Sequence, residues 1–190
     1  MWVYMWRSDC ECIGGVYPPP LSHPMKFRQA FLPLLAALSF AAPAQAGTAD
    51  ANTLLEMIKA TGTQVSFNGN HFDKNCIGTT AYYAFEPKVD DLLVVCTDQV
   101  DVKNGEALWE VVAHEATHIM QACYGREVAF QDDGHPAMFR QLSTRAPHLM
   151  ARIDDGYHSR TARSEVEAFW MELQPPAAVM EYFTAACSED

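Results

Sequence analysis

Two histidines four residues apart, with a glutamate directly after the first, constrain this chain more than any other stretch: His114-Glu115-Ala116-Thr117-His118. On an α-helix, positions four apart lie one turn apart on the same face. Two imidazoles held there can converge on one metal ion. Glu115 projects close to the same cavity and can take a proton from a water that the ion activates. The pattern therefore needs helical context, and its flanks supply it. Asn104 is placed as an N-cap, and Glu106 and Glu110 suit the first turns. Trp109, Val112, Ala113, Ala116, Ile119, Met120 and Cys123 mark an apolar stripe at helical spacing, and Gly125 provides a stop. The bland alternative is a surface helix that carries two histidines by accident.

The first residues read as a targeting segment rather than as fold. Met25-Lys26-Phe27-Arg28 is a short basic region, Ala30 to Ala42 is apolar, and Ala44-Gln45-Ala46 is an A-x-A cleavage site before Gly47. This is the architecture of a secretory signal peptide spanning 25–46. The apolar run is too short for a mature membrane anchor, and Pro33 and Pro43 interrupt it. A signal peptide works at an N-terminus, so translation is expected to start at Met25, with residues 1–24 a spurious extension. The mature chain is then 47–190, a secreted or periplasmic protein long enough for one domain with a real core. It is expected to be a monomer with no membrane anchor.

The whole chain carries a formal net charge of −11, and among its acids only Asp9 and Glu11 precede residue 47. Such a balance disfavours nucleic acid or an anionic membrane as a partner. The mature part keeps Cys76, Cys96, Cys123 and Cys187. An even number in an exported chain implies disulfides. Three pairings are open. Cys76–Cys96, which would staple neighbouring strands, and Cys123–Cys187, which would tie the motif helix to the C-terminal helix, are favoured. A cysteine metal site is the rival, but the mature part has no C-x-x-C spacing.

The remaining elements read in order as helix, small sheet, then helices. Asp50 is placed to cap a first helix running to about Ala60. Gln64 to Phe67 is a strand candidate closed by Asn68-Gly69, and within the Thr79 to Phe85 stretch Thr80 to Phe85 could pair with Leu92 to Cys96 as a hairpin. Past the motif helix, Asp132-Asp133-Gly134 reads as a turn, and Pro136 opens a helix to about Ser143. Pro147 starts a short helix that Asp154-Asp155-Gly156 would end. Arg160 to Leu173 is helical, and Pro176 can be the first residue of a last helix to about Ala186. The fold class is α+β.

A catalytic zinc usually takes three protein ligands. Glu165 and Glu167 lie on the later helix, in Ser164-Glu165-Val166-Glu167-Ala168-Phe169, and point to different faces. Only one of them can be the third ligand; His135, His148 and His158 are competing donors. An H-E-x-x-H helix followed by a glutamate on a second helix resembles the gluzincin branch of zinc metallopeptidases, whose downstream pattern is often E-x-x-A or E-x-x-x-D. Glu165-Val166-Glu167-Ala168 matches the first form with Glu165 as ligand and Glu167 as the alternative. The resemblance covers the two helices only. Phe169 stands where many members carry an aspartate that orients a histidine, so that support must come from elsewhere. No histidine follows Gly125 closely, so the metzincin extension is absent.

The resemblance implies a small zincin-like domain with a short β-sheet and an active-site helix packed with the C-terminal helices, a minimal gluzincin. His114, His118 and Glu165 would hold Zn2+, Glu115 would move the proton, and Tyr157 or His158 could reach over the metal to stabilise an oxyanion. The expected activity is hydrolysis of a peptide or protein substrate by an exported zinc peptidase, with an edge strand, Thr80 to Phe85, aligning an extended peptide. The alternative is a catalytically silent metallopeptidase-like domain that binds metal and acts through a protein partner. A disulfide-stapled domain with no metal is the third reading.

Overall fold

Six α-helices and a three-stranded sheet follow one another through residues 47–85, 91–125, 135–156 and 162–188, the parts of the chain that the computed structural model describes. The expected signal peptide, the 86–90 and 132–134 connections, and Tyr157 and His158 lie outside these residues.

Helix α1 spans Thr48–Ala60. Its N-cap is Gly47, and Asp50 acts from the third helical position: its carboxylate accepts the Gly47 N–H at 2.8 Å. The aspartate expected as the cap therefore serves one turn further in, where it still satisfies a donor at the helix start. Ala51, Leu54, Leu55 and Ile58 recur at helical spacing and are buried.

Strands β1 (Gln64–Asn68), β2 (Ala81–Ala84) and β3 (Leu92–Cys96) form one sheet in the order β1-β3-β2. β1 lies parallel to β3, with Gln64 opposite Leu92 and Asn68 opposite Cys96. β2 lies antiparallel to β3, with Ala81 opposite Val95 and Ala84 opposite Leu92, which is the hairpin pairing expected from sequence. Leu93 to Cys96 are all buried, as a central strand covered on both faces requires. The connection from β1 to β2 carries a short 3-10 turn, Lys74–Cys76. The Cys76–Cys96 disulfide fixes that turn to the end of β3, and Val94, Tyr82 and Leu92 pack around it. The Tyr83 hydroxyl donates to Asp91 at 2.6 Å, which pins the other end of β2.

Helix α2 spans Gly105–Tyr124. Asn104 accepts the N–H groups of Glu106 and Ala107, and Gly125 closes the helix at φ 75°, a left-handed conformation that glycine adopts at no steric cost. Side chains from Val111 to Met120 are buried without interruption, so the middle of the helix is enclosed on all sides while its ends reach solvent. It packs against α1, against β2, and against two later helices.

Helices α3 (His135–Arg145), α4 (Pro147–Gly156), α5 (Ala162–Glu172) and α6 (Pro176–Cys187) complete the described chain. α4 runs on through the Asp154-Asp155-Gly156 stretch expected to be a turn. Leu149, Met150 and Ile153 are buried along one of its faces, and that packing outweighs the weak local preference of Asp and Gly. α5 and α6 both contact α2, and the Cys123–Cys187 disulfide joins the end of α2 to the end of α6. Both favoured cysteine pairings are thus present, and two disulfides are compatible with an oxidising compartment. Among the described residues no helix is long and apolar enough to cross a membrane.

Candidate metal centre

The middle of α2 and the first turns of α5 build the site. His114 and His118 leave α2 from the same face, and their Nε2 atoms are 3.2 Å apart. Glu165, in the first turn of α5, faces both: Oε2 lies 3.4 Å from His114 Nε2, and Oε1 lies 3.7 Å from His118 Nε2. One ligand atom from each of the three lies within 4.8 Å of the others, a buried group that could hold a metal ion. The three side chains are at most 2 % exposed. Two imidazole nitrogens and a carboxylate oxygen are the donor set of a three-ligand catalytic zinc site, so the residues fit such an ion.

Each histidine is held from behind at Nδ1. Glu172 Oε1 lies 2.6 Å from His114 Nδ1, and Gln121 Oε1 lies 2.9 Å from His118 Nδ1. Phe169 does not contribute a carboxylate, as its identity dictates. It packs its ring edge-on against His114, with centroids 4.8 Å apart, and Arg152 lies 5.1 Å above the Phe169 ring. The support for His114 comes instead from Glu172, seven residues and two turns beyond Glu165, hence on the same face of α5. Sequence reading missed both supports. The spacings that could have shown them are plain: Glu172 at Glu165 plus seven, and Gln121 at His118 plus three, each a same-face relation on its helix.

Glu167 is fully buried, and its Oε2 accepts from Gln121 Nε2 at 2.8 Å. Of the competing donors, His148 is exposed on α4, His135 begins α3, and Tyr157 and His158 lie outside the described residues.

Glu115 is 2 % exposed and sits beside the cage. One of its oxygens accepts the backbone N–H of Tyr83 in β2, and Oε2 has no hydrogen-bond partner among the described residues. A buried carboxylate oxygen left in this state is costly unless it is protonated or meets a further group. Burial, reinforced by the Glu165 charge, pushes Glu115 up to about 7, against the pull of His114 and of the Tyr83 N–H. His118 is pushed down to about 4 by burial. Burial acts on His114 in the same direction, but the Glu165 and Glu172 carboxylates outweigh it and raise His114 to about 10. His114, clamped between two acids, is therefore the more basic imidazole of the cage and His118 the less basic.

β2 also borders the site. The Cys96 N–H donates to the Thr80 C=O, so the alternation of the antiparallel ladder turns Tyr82 and Ala84 toward β3, and Ala81 and Tyr83 away from it. The Tyr83 N–H that reaches Glu115 is one of these outward groups. Comparison with protein-family models, with curated proteins and with solved structures yields no match for this chain.

Proposed function

We propose that this chain is an exported zinc-dependent peptidase of minimal zincin-like, gluzincin-type build. The observation that carries the reading is the convergence of His114, His118 and Glu165, with the buried Glu115 carboxylate beside them and tied to an edge strand. A zinc ion held by the three ligands would polarise a scissile carbonyl and lower the pKa of a water. Glu115 Oε2 would accept the proton of that water and return it to the leaving amine. A carboxyl group raised to about 7 suits a residue that must both take and give a proton near neutral pH. Glu172 and Gln121 would keep both imidazoles turned so that Nε2 faces the cage. The outward Tyr83 carbonyl, on the partly exposed stretch of β2, would pair with an extended peptide and so lay a peptide backbone across the site.

The near-complete burial of all four side chains supports a second reading, a metal-binding domain that cleaves nothing and acts through a protein partner. Two measurements separate them. Elemental analysis of protein purified without added metal should find one zinc per chain under either reading. Hydrolysis of a broad peptide library, lost on Glu115→Ala with zinc retained, supports the peptidase; no turnover by the zinc-loaded wild type overturns it.

A further inference from the structure

Glu167 lies two residues past the proposed ligand, is completely buried, and is joined to the cage by hydrogen bonds through Gln121. Gln121 Nε2 donates to Glu167 Oε2 at 2.8 Å and to the Ser164 backbone carbonyl at 3.1 Å. A carbonyl oxygen only accepts, so the group facing it must be the amide NH2 of Gln121. The other end of that side chain is then oxygen, and it faces His118 Nδ1 at 2.9 Å. An amide oxygen also only accepts, so Nδ1 must carry the proton. The remaining ring nitrogen, Nε2, is left with its lone pair, and Nε2 is the atom 3.7 Å from Glu165 Oε1 and 3.2 Å from His114 Nε2.

His114, by contrast, meets a carboxylate at Nδ1 and Glu165 at Nε2. The orientation of one buried carboxamide thus selects the ligating nitrogen, and acceptors on the neighbouring helix select the orientation.

We propose that Gln121 and Glu167 are a positioning pair: from across the α2–α5 seam they hold His118 in its Nδ1–H tautomer and present Nε2 to the metal cage. The use made of that lone pair rests on the metal-centre reading above; the tautomer itself does not. Glu167, the alternative third ligand, thereby has its own task at one remove from the ion.

The test uses the full chain labelled with 15N in histidine and stripped of metal with a chelator. Long-range 1H–15N correlation reads the His118 tautomer, and competition with a chromophoric chelator reads Zn2+ affinity. The wild type should show His118 as Nδ1–H. Gln121→Leu and Glu167→Leu should lose the single tautomer and weaken Zn2+ binding about 10- to 100-fold, with one ion per chain retained. Gln121→Glu alone should set two acids against each other and weaken binding similarly. The exchange Gln121→Glu with Glu167→Gln should recover the tautomer and part of the affinity, because the new carboxylate accepts from both His118 Nδ1 and the new amide while the Ser164 carbonyl loses its donor. This near-isosteric comparison decides the matter should the leucine variants fail to fold. An Nε2–H tautomer in the wild type, a folded Glu167→Leu protein with unchanged tautomer and affinity, or an exchange variant no better than Gln121→Glu alone overturns the proposal. A wild type that is Nδ1–H and responds to Glu167→Leu, yet takes up no Zn2+, upholds the positioning pair and overturns the metal-centre reading instead.

Discussion

Glu115 accepts the backbone N–H of Tyr83, so the acid of the H-E-x-x-H helix is fastened to the edge of the sheet beside the cage. One oxygen is committed to the strand and Oε2 is left for chemistry. Glu115→Gln should keep the shape and the metal, because the side chain is not a ligand. On the proposed peptidase reading it should lower peptide hydrolysis about a hundredfold to ten-thousandfold, the usual worth of a general base. Steady-state kinetics beside zinc analysis on the same sample checks this. Unchanged turnover would remove Glu115 from the mechanism.

The three proposed ligands should behave differently from their neighbours. His114→Ala, His118→Ala and Glu165→Ala should each lose the ion, since two donors hold zinc poorly. Glu167→Ala should still load one ion, though more weakly. Elemental analysis after dialysis reads all four. Zinc that survives Glu165→Ala but is lost on Glu167→Ala would shift the ligand register to the other carboxylate. Zinc lost in neither would end the gluzincin reading and turn attention to a histidine such as His158.

Features set by neighbouring residues were legible before the structure. Asn104 and Gly125 bound α2 because caps are local chemistry, and the Leu92–Cys96 run read directly as a strand. Gln121 and Glu172 were not singled out, because a glutamine and a glutamate on helices have many uses and only packing selects one. The parallel pairing of β1 with β3 is a long-range contact with no turn signal. Asp50 sits one turn inside the cap because its carboxylate reaches back to the Gly47 N–H, and the stop expected at Asp154 is a local preference that helix packing overrides.

The cysteines make a quantitative comparison possible. Thiol counting under denaturation should find none of Cys76, Cys96, Cys123 and Cys187 free, and N-terminal sequencing of exported protein should begin at or near Gly47. The two bridges span 20 and 64 residues. On chain-entropy grounds the longer loop stabilises by about 1 kcal/mol more. Paired Cys→Ala replacement of Cys123 and Cys187 should therefore lower unfolding free energy more than replacement of Cys76 and Cys96. Urea titrations give both values, and the reverse order would show that strain or residual structure outweighs loop closure.

Gly105 marks a close approach between the starts of α1 and α2. A Cβ there would stand 2.4 Å from the Thr48 backbone nitrogen and 2.9 Å from the Gly47 carbonyl carbon. Backbone cannot swing aside as a side chain can. The helix-propensity gain of Gly→Ala is at most about 1 kcal/mol, and less at a helix end. The overpacking penalty is about 1–3 kcal/mol. Gly105→Ala should therefore destabilise the domain by about 1 kcal/mol or more in urea unfolding. A gain in stability would mean that the two helix starts separate freely.

The cage should make metal-free stability and metal affinity move in opposite directions with pH. In the metal-free fold His114 is raised from 6.5 to about 10 by its two carboxylates. A group raised on folding stabilises fully below its unfolded value, and that contribution is lost as pH climbs through the folded one. Between pH 4.5 and 6.5 His114 is protonated in both states and adds no slope, while Glu115, raised to about 7, and His118, lowered to about 4, act with opposite sign. From pH 7 to 10 His114 acts alone among these three, so the melting temperature of chelator-stripped protein should fall steadily. Binding an ion to His114 Nε2 requires that same proton to leave, so Zn2+ affinity should rise about tenfold per pH unit over this range. Calorimetry in buffers of different ionisation enthalpy should count about one proton released per ion bound. A flat melting temperature with no proton release would show that His114 is already neutral in the metal-free protein, and that Glu172 orients it without charging it.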